Sequence, residues 1–123
     1  MEAVKIDATK SSPKIMFKPE DRKLKIKGES YPEDSFSFYE DIFELMEEAV
    51  EKYQSFTLEI EVSYLNTSST KSFMTLLDIA EDGFKQGKEF SVDWYYNEEN
   101  EHAYELALDF KSYLELPFNI IPN

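Results

Sequence analysis

The sequence predicts a two-layer α/β fold with a mixed β-sheet and the element order β-β-α-β-α-β-α-β. Three observations carry this. Apolar residues recur at period 2 in some segments and at period 3.6 in others, which separates strands from helices. From residue 35 onward the two kinds of segment alternate, and a strand–helix–strand series pairs its strands in parallel through right-handed crossovers. The strands alternate apolar and polar residues instead of running continuously apolar, so one sheet face packs under helices and the other meets solvent.

Residues 1–12, ending in the polar run Thr9-Lys10-Ser11-Ser12, read as a leader or a short edge segment. Lys14-Ile15-Met16-Phe17-Lys18 is a strand halted by Pro19. Lys23-Leu24-Lys25-Ile26-Lys27 alternates strictly, and the intervening Pro19-Glu20-Asp21-Arg22 makes the pair a hairpin. Residues 35–53 form the clearest helix, with Phe38, Ile42, Leu45, Met46, Ala49, Val50 and Tyr53 in one stripe. Ser37 with Glu40 fits a capping box there, with Ser35 and Asp34 as the other candidate caps. Phe56 to Tyr64 is a strand with Phe56, Leu58, Ile60 and Val62 on one side. A second helix near 70–86 buries Phe73, Leu76, Leu77, Ala80 and Phe84, with Gly87 in the left-handed position beyond its end. Phe90 to Tyr95 is the next strand, followed by a helix near 98–114 capped by Asn97 with Glu98 and Glu99 in its first turn. Phe118-Asn119-Ile120-Ile121 closes the sheet after Pro117.

The chain has 123 residues and a net charge of -13, a length that suits one domain spanning 1–123. The charge is divided: residues 1–30 carry eight basic and five acidic side chains, and the remainder five and 21. Nucleic-acid binding needs a basic footprint that this balance withholds. The absence of cysteine removes thiolate and disulfide chemistry and fits a reducing compartment. Three glycines leave no room for a dinucleotide loop or a P-loop, so no cofactor is expected. No apolar run is long enough to span a bilayer, and the protein is expected to be cytoplasmic.

The single histidine, His102, reads as a solvated first-turn residue, and the acids near Asn97 lack the glycine-bearing calcium-loop spacing. Neither gives a catalytic or metal site. Tyr31-Pro32-Glu33-Asp34 is a turn with an exposed aromatic ring, balanced between structure and contact. The cluster that stands out is Asn66-Thr67-Ser68-Ser69-Thr70-Lys71, between the end of a central strand and the start of a helix. One side-chain oxygen suffices for a cap, and this run has four consecutive hydroxyls. A phosphoryl group would add about -1.5 to -2 charges beside the positive end of the helix dipole. The residues alone leave open which of Thr67, Ser68, Ser69 and Thr70 would carry it, and whether the run is simply a hydroxyl-rich cap.

Over most of its length the chain resembles the bacterial SiaC family of regulatory phosphoproteins. The resemblance rests on Gly28-Glu29-Ser30-Tyr31-Pro32-Glu33, on Tyr64-Leu65-Asn66-Thr67-Ser68-Ser69 with Lys71, on Val92-Asp93-Trp94-Tyr95-Tyr96, and on Pro117-Phe118. Asp34 stands where the family often has Asn, and Thr70 where Ser or an apolar residue is commoner. The resemblance implies a STAS-like, anti-sigma-factor-antagonist-like fold and a non-enzymatic switch. It implies phosphorylation on Thr67 by a dedicated Ser/Thr kinase, reversal by a metal-dependent phosphatase, and binding of a diguanylate cyclase by the unmodified form, linked to cyclic-di-GMP and biofilm. Tyr31, Pro32, Asn66, Ser68, Ser69 and Lys71 are then the expected partner-binding residues. A monomer or weak dimer is expected. The alternative from a different class is an acidic interaction protein that mimics a nucleic-acid backbone.

Overall fold

The structure is a computed structural model that describes residues Met1–Asn123. Its elements are β1 (Val4–Ile6), β2 (Lys14–Lys18), β3 (Lys23–Ser30), α1 (Ser35–Lys52), β4 (Ser55–Leu65), α2 (Thr67–Lys85), β5 (Glu89–Tyr96), α3 (Glu101–Ser112) and β6 (Phe118–Pro122). The six strands lie in the sheet in chain order. β1, β2 and β3 pair antiparallel, and β3, β4, β5 and β6 pair parallel. The mixed sheet and the α/β alternation expected from periodicity are both present.

Three expectations are corrected. The element order gains a strand: of the two readings of residues 1–12 the edge segment is the one present, Val4–Ile6 pairing with Val4 opposite Phe17 and Ile6 opposite Ile15, so the order begins with three strands. Two apolar residues in three positions are too few to register as a period. The second helix begins at Thr67, not near 70, because the Asn66 side chain caps it and frees the hydroxyl run to enter its first turn. The third helix runs only from Glu101 to Ser112, and Asn100 caps it. Asn97 instead accepts from the Glu99 N–H at 2.9 Å, so Glu98 and Glu99 lie in a turn ahead of the helix.

Register explains the core. Leu24, Leu58, Val92 and Phe118 stand side by side across β3 to β6, and Ile26, Ile60, Trp94 and Ile120 form the next row. These rows and the inner faces of the helices build one apolar cluster of 27 buried residues. Burial of one Leu, Ile or Phe in such a cluster is worth about 1.5–3 kcal/mol. On α1 the expected stripe holds from Ile42 to Val50, but Tyr39 and Phe43 are buried while Phe38 is only half-buried. The opposite sheet face bears Lys25, Glu59 and Asp93 in one row and Lys27 beside Glu61, with Lys27 Nζ 3.9 Å from the carboxylate.

Two glycines have positional reasons. Gly28 takes φ +130° where the β3–β4 register shifts, a conformation that side chains disfavour. Gly83 lets α2 close on β5, since a Cβ there would sit 3.0 Å from the Phe90 ring.

Beyond the apolar contacts, Glu81 joins α2 to the segment before β6. Its buried carboxylate accepts the Glu115 N–H at 2.8 Å and the Leu116 N–H at 2.8 Å. Without it two backbone donors lose their partner, so Glu81→Ala is expected to cost about 1–3 kcal/mol in urea denaturation. Glu81→Gln, which keeps one acceptor oxygen, is expected to cost less.

Candidate functional site

The carboxyl ends of β3, β4 and β5 run into the N-termini of α1, α2 and α3, so all three helix starts gather at one edge of the sheet. Each start is capped by an Asx side chain three residues before the N–H that it accepts. The bonds are Asp34 to Ser37 N–H at 3.1 Å, Asn66 to Ser69 N–H at 2.8 Å and Asn100 to Ala103 N–H at 3.0 Å. On α1 the capping-box reading gives way to Asp34, whose carboxylate also accepts from the Ser37 hydroxyl at 2.9 Å. Those bonds hold the Asp34 carboxyl below its ordinary range. The positive ends of three helix dipoles therefore face the same way, and the first turns of α1 and α2 hold no acid to offset them.

The structure sorts the hydroxyl run by exposure. Thr67 and Ser68 are exposed, in the first two helical positions of α2. Thr70 is half-buried and donates its hydroxyl to the Asn66 carbonyl at 3.0 Å. Ser69 is fully buried. Its expected place among the partner-contacting residues is thus corrected: the third position of the first helical turn points it at the core.

Beneath Thr67 lies a hydroxyl cluster that periodicity did not reveal. Ser30 Oγ lies 2.8 Å from Ser69 Oγ and 2.6 Å from Tyr39 Oη, while Ser35 Oγ lies 3.3 Å from Ser69 Oγ and 2.9 Å from Ser72 Oγ. All five residues are buried. Burial pushes the Tyr39 phenol far above the usual tyrosine range, and the Ser30 hydrogen bond offsets part of that, so Tyr39 stays protonated. The Asn66 N–H also donates to the Ser30 carbonyl at 3.1 Å. The cluster pins the end of β3 and the starts of α1 and α2 together. Serines offer no apolar period to detect; the available signal was Ser30, Ser35 and Ser69 at or near element ends, with Ser72 three residues further into α2 beside the apolar Phe73.

Around this frame the exposed residues form a shallow surface. Lys71 is exposed and makes no ion pair, and with Phe36, Ser68, Ser72 and Thr75 it lines a concavity of about 190 Å³ between α1 and α2. Phe36 is 64% exposed, an apolar residue out of phase with its helix stripe, and that mismatch was its legible signal. Tyr31 and Pro32 are half-buried; the Tyr31 ring packs edge-on against Tyr64 at 6.0 Å, which places the β3–α1 turn beside the end of β4. The expected residues Tyr31, Pro32, Asn66, Thr67, Ser68 and Lys71 therefore sit on the same end of the molecule.

Fold and site define a class: a small mixed-sheet α/β protein whose helix N-termini gather at an open surface and not at an enclosed pocket. The chain belongs to the SiaC family of regulatory phosphoproteins, whose family model matches residues 6–123. It is 33% identical over 121 residues to an uncharacterised protein of Pseudomonas aeruginosa strain UCBPP-PA14, covering 98% of this chain and 96% of that one. It superimposes on apo-SiaC from Pseudomonas aeruginosa with a TM-score of 0.93 at 32% identity, over 98% of this chain and 99% of the other. The same TM-score of 0.93, identity of 32% and coverages of 98% and 99% relate it to SiaC in the structure of the diguanylate cyclase SiaD with its activator SiaC from Pseudomonas aeruginosa.

The hydroxyl sorting has a direct test. Ser69→Ala leaves Ser30 and Ser35 short of a buried partner and is expected to cost about 1–3 kcal/mol in denaturant unfolding. Ser68→Ala, at an exposed position, is expected to stay within about 0.5 kcal/mol of the parent.

Proposed function

We propose that this chain is a non-enzymatic, phosphorylation-controlled regulator that docks on a diguanylate cyclase in its unmodified form and is released when Thr67 is phosphorylated. The observation that carries the reading is the division within the hydroxyl run. Ser69 is locked in the core and Thr70 is bonded to the cap carbonyl, which leaves Thr67 and Ser68 exposed at the start of α2; Ser68 donates its hydroxyl to Asn66 Oδ1 at 3.3 Å, and the family resemblance selects Thr67. The SiaC relative seen with the cyclase SiaD supports the choice of partner class. By the same family reasoning a Ser/Thr kinase adds the phosphate, a metal-dependent phosphatase removes it, and the cycle runs in the cytoplasm.

The mechanism is electrostatic and steric. A phosphate on Thr67 brings about -1.5 to -2 charges and several strong acceptors onto a contact surface. Within the chain that charge is tolerated, because the α2 dipole favours an anion in its first turn. Lys71, four residues on, lies on the same helix face and can pair with it. Across an interface the same group is bulky and heavily hydrated, so docking is lost while the fold persists. Tyr31, Pro32, Asn66, Ser68 and Lys71 surround the switch and shape the contact.

Thr67→Asp is expected to weaken binding to the diguanylate cyclase of the same organism at least about tenfold, or about 1.4 kcal/mol, in calorimetric titration. Thr67→Ala is expected to bind like the parent. The melting temperature of Thr67→Asp should be unchanged or raised, because an acid in the first helical turn contributes about 0.3–1 kcal/mol. Equal binding by all three proteins overturns the reading.

A further inference from the structure

The open face of the sheet is strongly polarised, and the switch at the opposite layer does not explain it. In a chain with a net charge of -13, the face formed by β1, β2 and β3 carries Lys5, Lys14, Lys18, Lys23, Lys25 and Lys27. Register places Lys14 directly across from Lys27 and Lys18 across from Lys23. Like charges facing each other on adjacent strands destabilise a sheet. Only Lys27 has an ion-pair partner, Glu61, and that contact is 3.9 Å long. Lys5 and Lys25 flank Met16, the one apolar side chain of the stripe. Two shallow concavities open around Met16: one of about 130 Å³ lined otherwise by lysines alone, and one of about 220 Å³ lined by Lys18, Lys23 and Lys25 with Asp21 and Glu59 at its margin.

We propose that this lysine stripe is a docking surface for an extended acidic segment of a partner protein, laid alongside β2 and β3. The inference stands apart from phosphorylation at Thr67. Its geometry favours a single chain: Lys23, Lys25 and Lys27 alternate along β3 at intervals of about 6.8 Å, the spacing of alternate residues in an extended peptide. Three strands make a stripe only about 10 Å wide. A broad anionic surface such as a membrane would press equally on Glu59, Glu61 and Asp93, which share the same face on β4 and β5. Oriented phosphate recognition favours guanidinium forks, helix N-termini or free backbone N–H groups, whereas a lysine meets phosphate only as a point charge. The stripe has lysines only, on strands whose backbone is committed to the sheet.

The test uses the full chain and a fluorescein-labelled peptide of alternating Glu and Ser, followed by fluorescence anisotropy. Saturable binding is expected at about 0.01 M salt and a marked loss at about 0.15 M, as the Debye length falls from about 30 Å to about 8 Å. The variant Lys23→Gln/Lys25→Gln/Lys27→Gln is expected to bind about tenfold more weakly, a change of about 1.4 kcal/mol. Thr67→Asp is expected to bind the peptide as the parent does. Lys14→Gln and Lys18→Gln, which each relieve a like-charge pair, are expected to raise the melting temperature. The proposal is overturned if the peptide fails to bind, if the triple variant binds it equally well, or if tripolyphosphate, single-stranded DNA or phosphatidylserine vesicles compete better than unlabelled peptide. A fall in melting temperature for both single variants would equally remove its physical basis.

Discussion

Burial on only one side of the sheet is the constraint from which the rest of this structure follows. Every strand from β2 to β5 presents alternate residues to the core, so the helices must cover that face. Parallel crossovers of one hand then carry α1, α2 and α3 along the same layer. Their N-termini fall at the same edge because each follows the carboxyl end of a parallel strand. The uncovered face is free to hold charge, and it holds lysines on one side and acids on the other.

The edge where the helices begin combines two polar systems with different purposes. The outer one consists of the Asx caps, which satisfy helix N–H groups that would otherwise lack partners. The inner one is the hydroxyl cluster of Ser30, Ser35, Tyr39, Ser69 and Ser72, which is buried and satisfies itself. A buried polar network of this kind is tolerable only when each member has a partner, and once complete it permits little movement. It therefore gives Thr67 a rigid base. A charge placed on a rigid base acts on whatever approaches from outside and has little leverage on the fold within.

The acidity of the molecule has an analogous division. Eleven of the 26 carboxylates line the outer faces of helices, where they favour solubility and self-repulsion. Against that background a cation without an ion-pair partner is conspicuous, both at Lys71 in the first turns of α2 and along β2 and β3. The two basic places lie on different layers of the molecule, one at the head of α2 and the other on the sheet face that helices leave bare.

Periodicity determined much of this protein before any tertiary contact was known. The alternation in Lys23 to Lys27 and in Phe56 to Val62 defined strands and their inner faces, and the stripe from Ile42 to Val50 defined the first helix. The hydroxyl run at 67–70 was visible as a surplus over what capping needs, and the residues quoted from it pointed to the family. Tertiary structure alone decided that Val4–Ile6 pairs as an edge strand, that α2 starts at Thr67, and that Ser69 faces inward while Thr67 faces out. Local pattern reports which face of an element is apolar, but a three-residue strand and the burial of a single serine depend on partners distant in the chain, and the start of α2 depends on which polar side chain, here Asn66, accepts the first-turn N–H. Ser69 owes its place to Ser30 and Ser35, more than thirty residues before it.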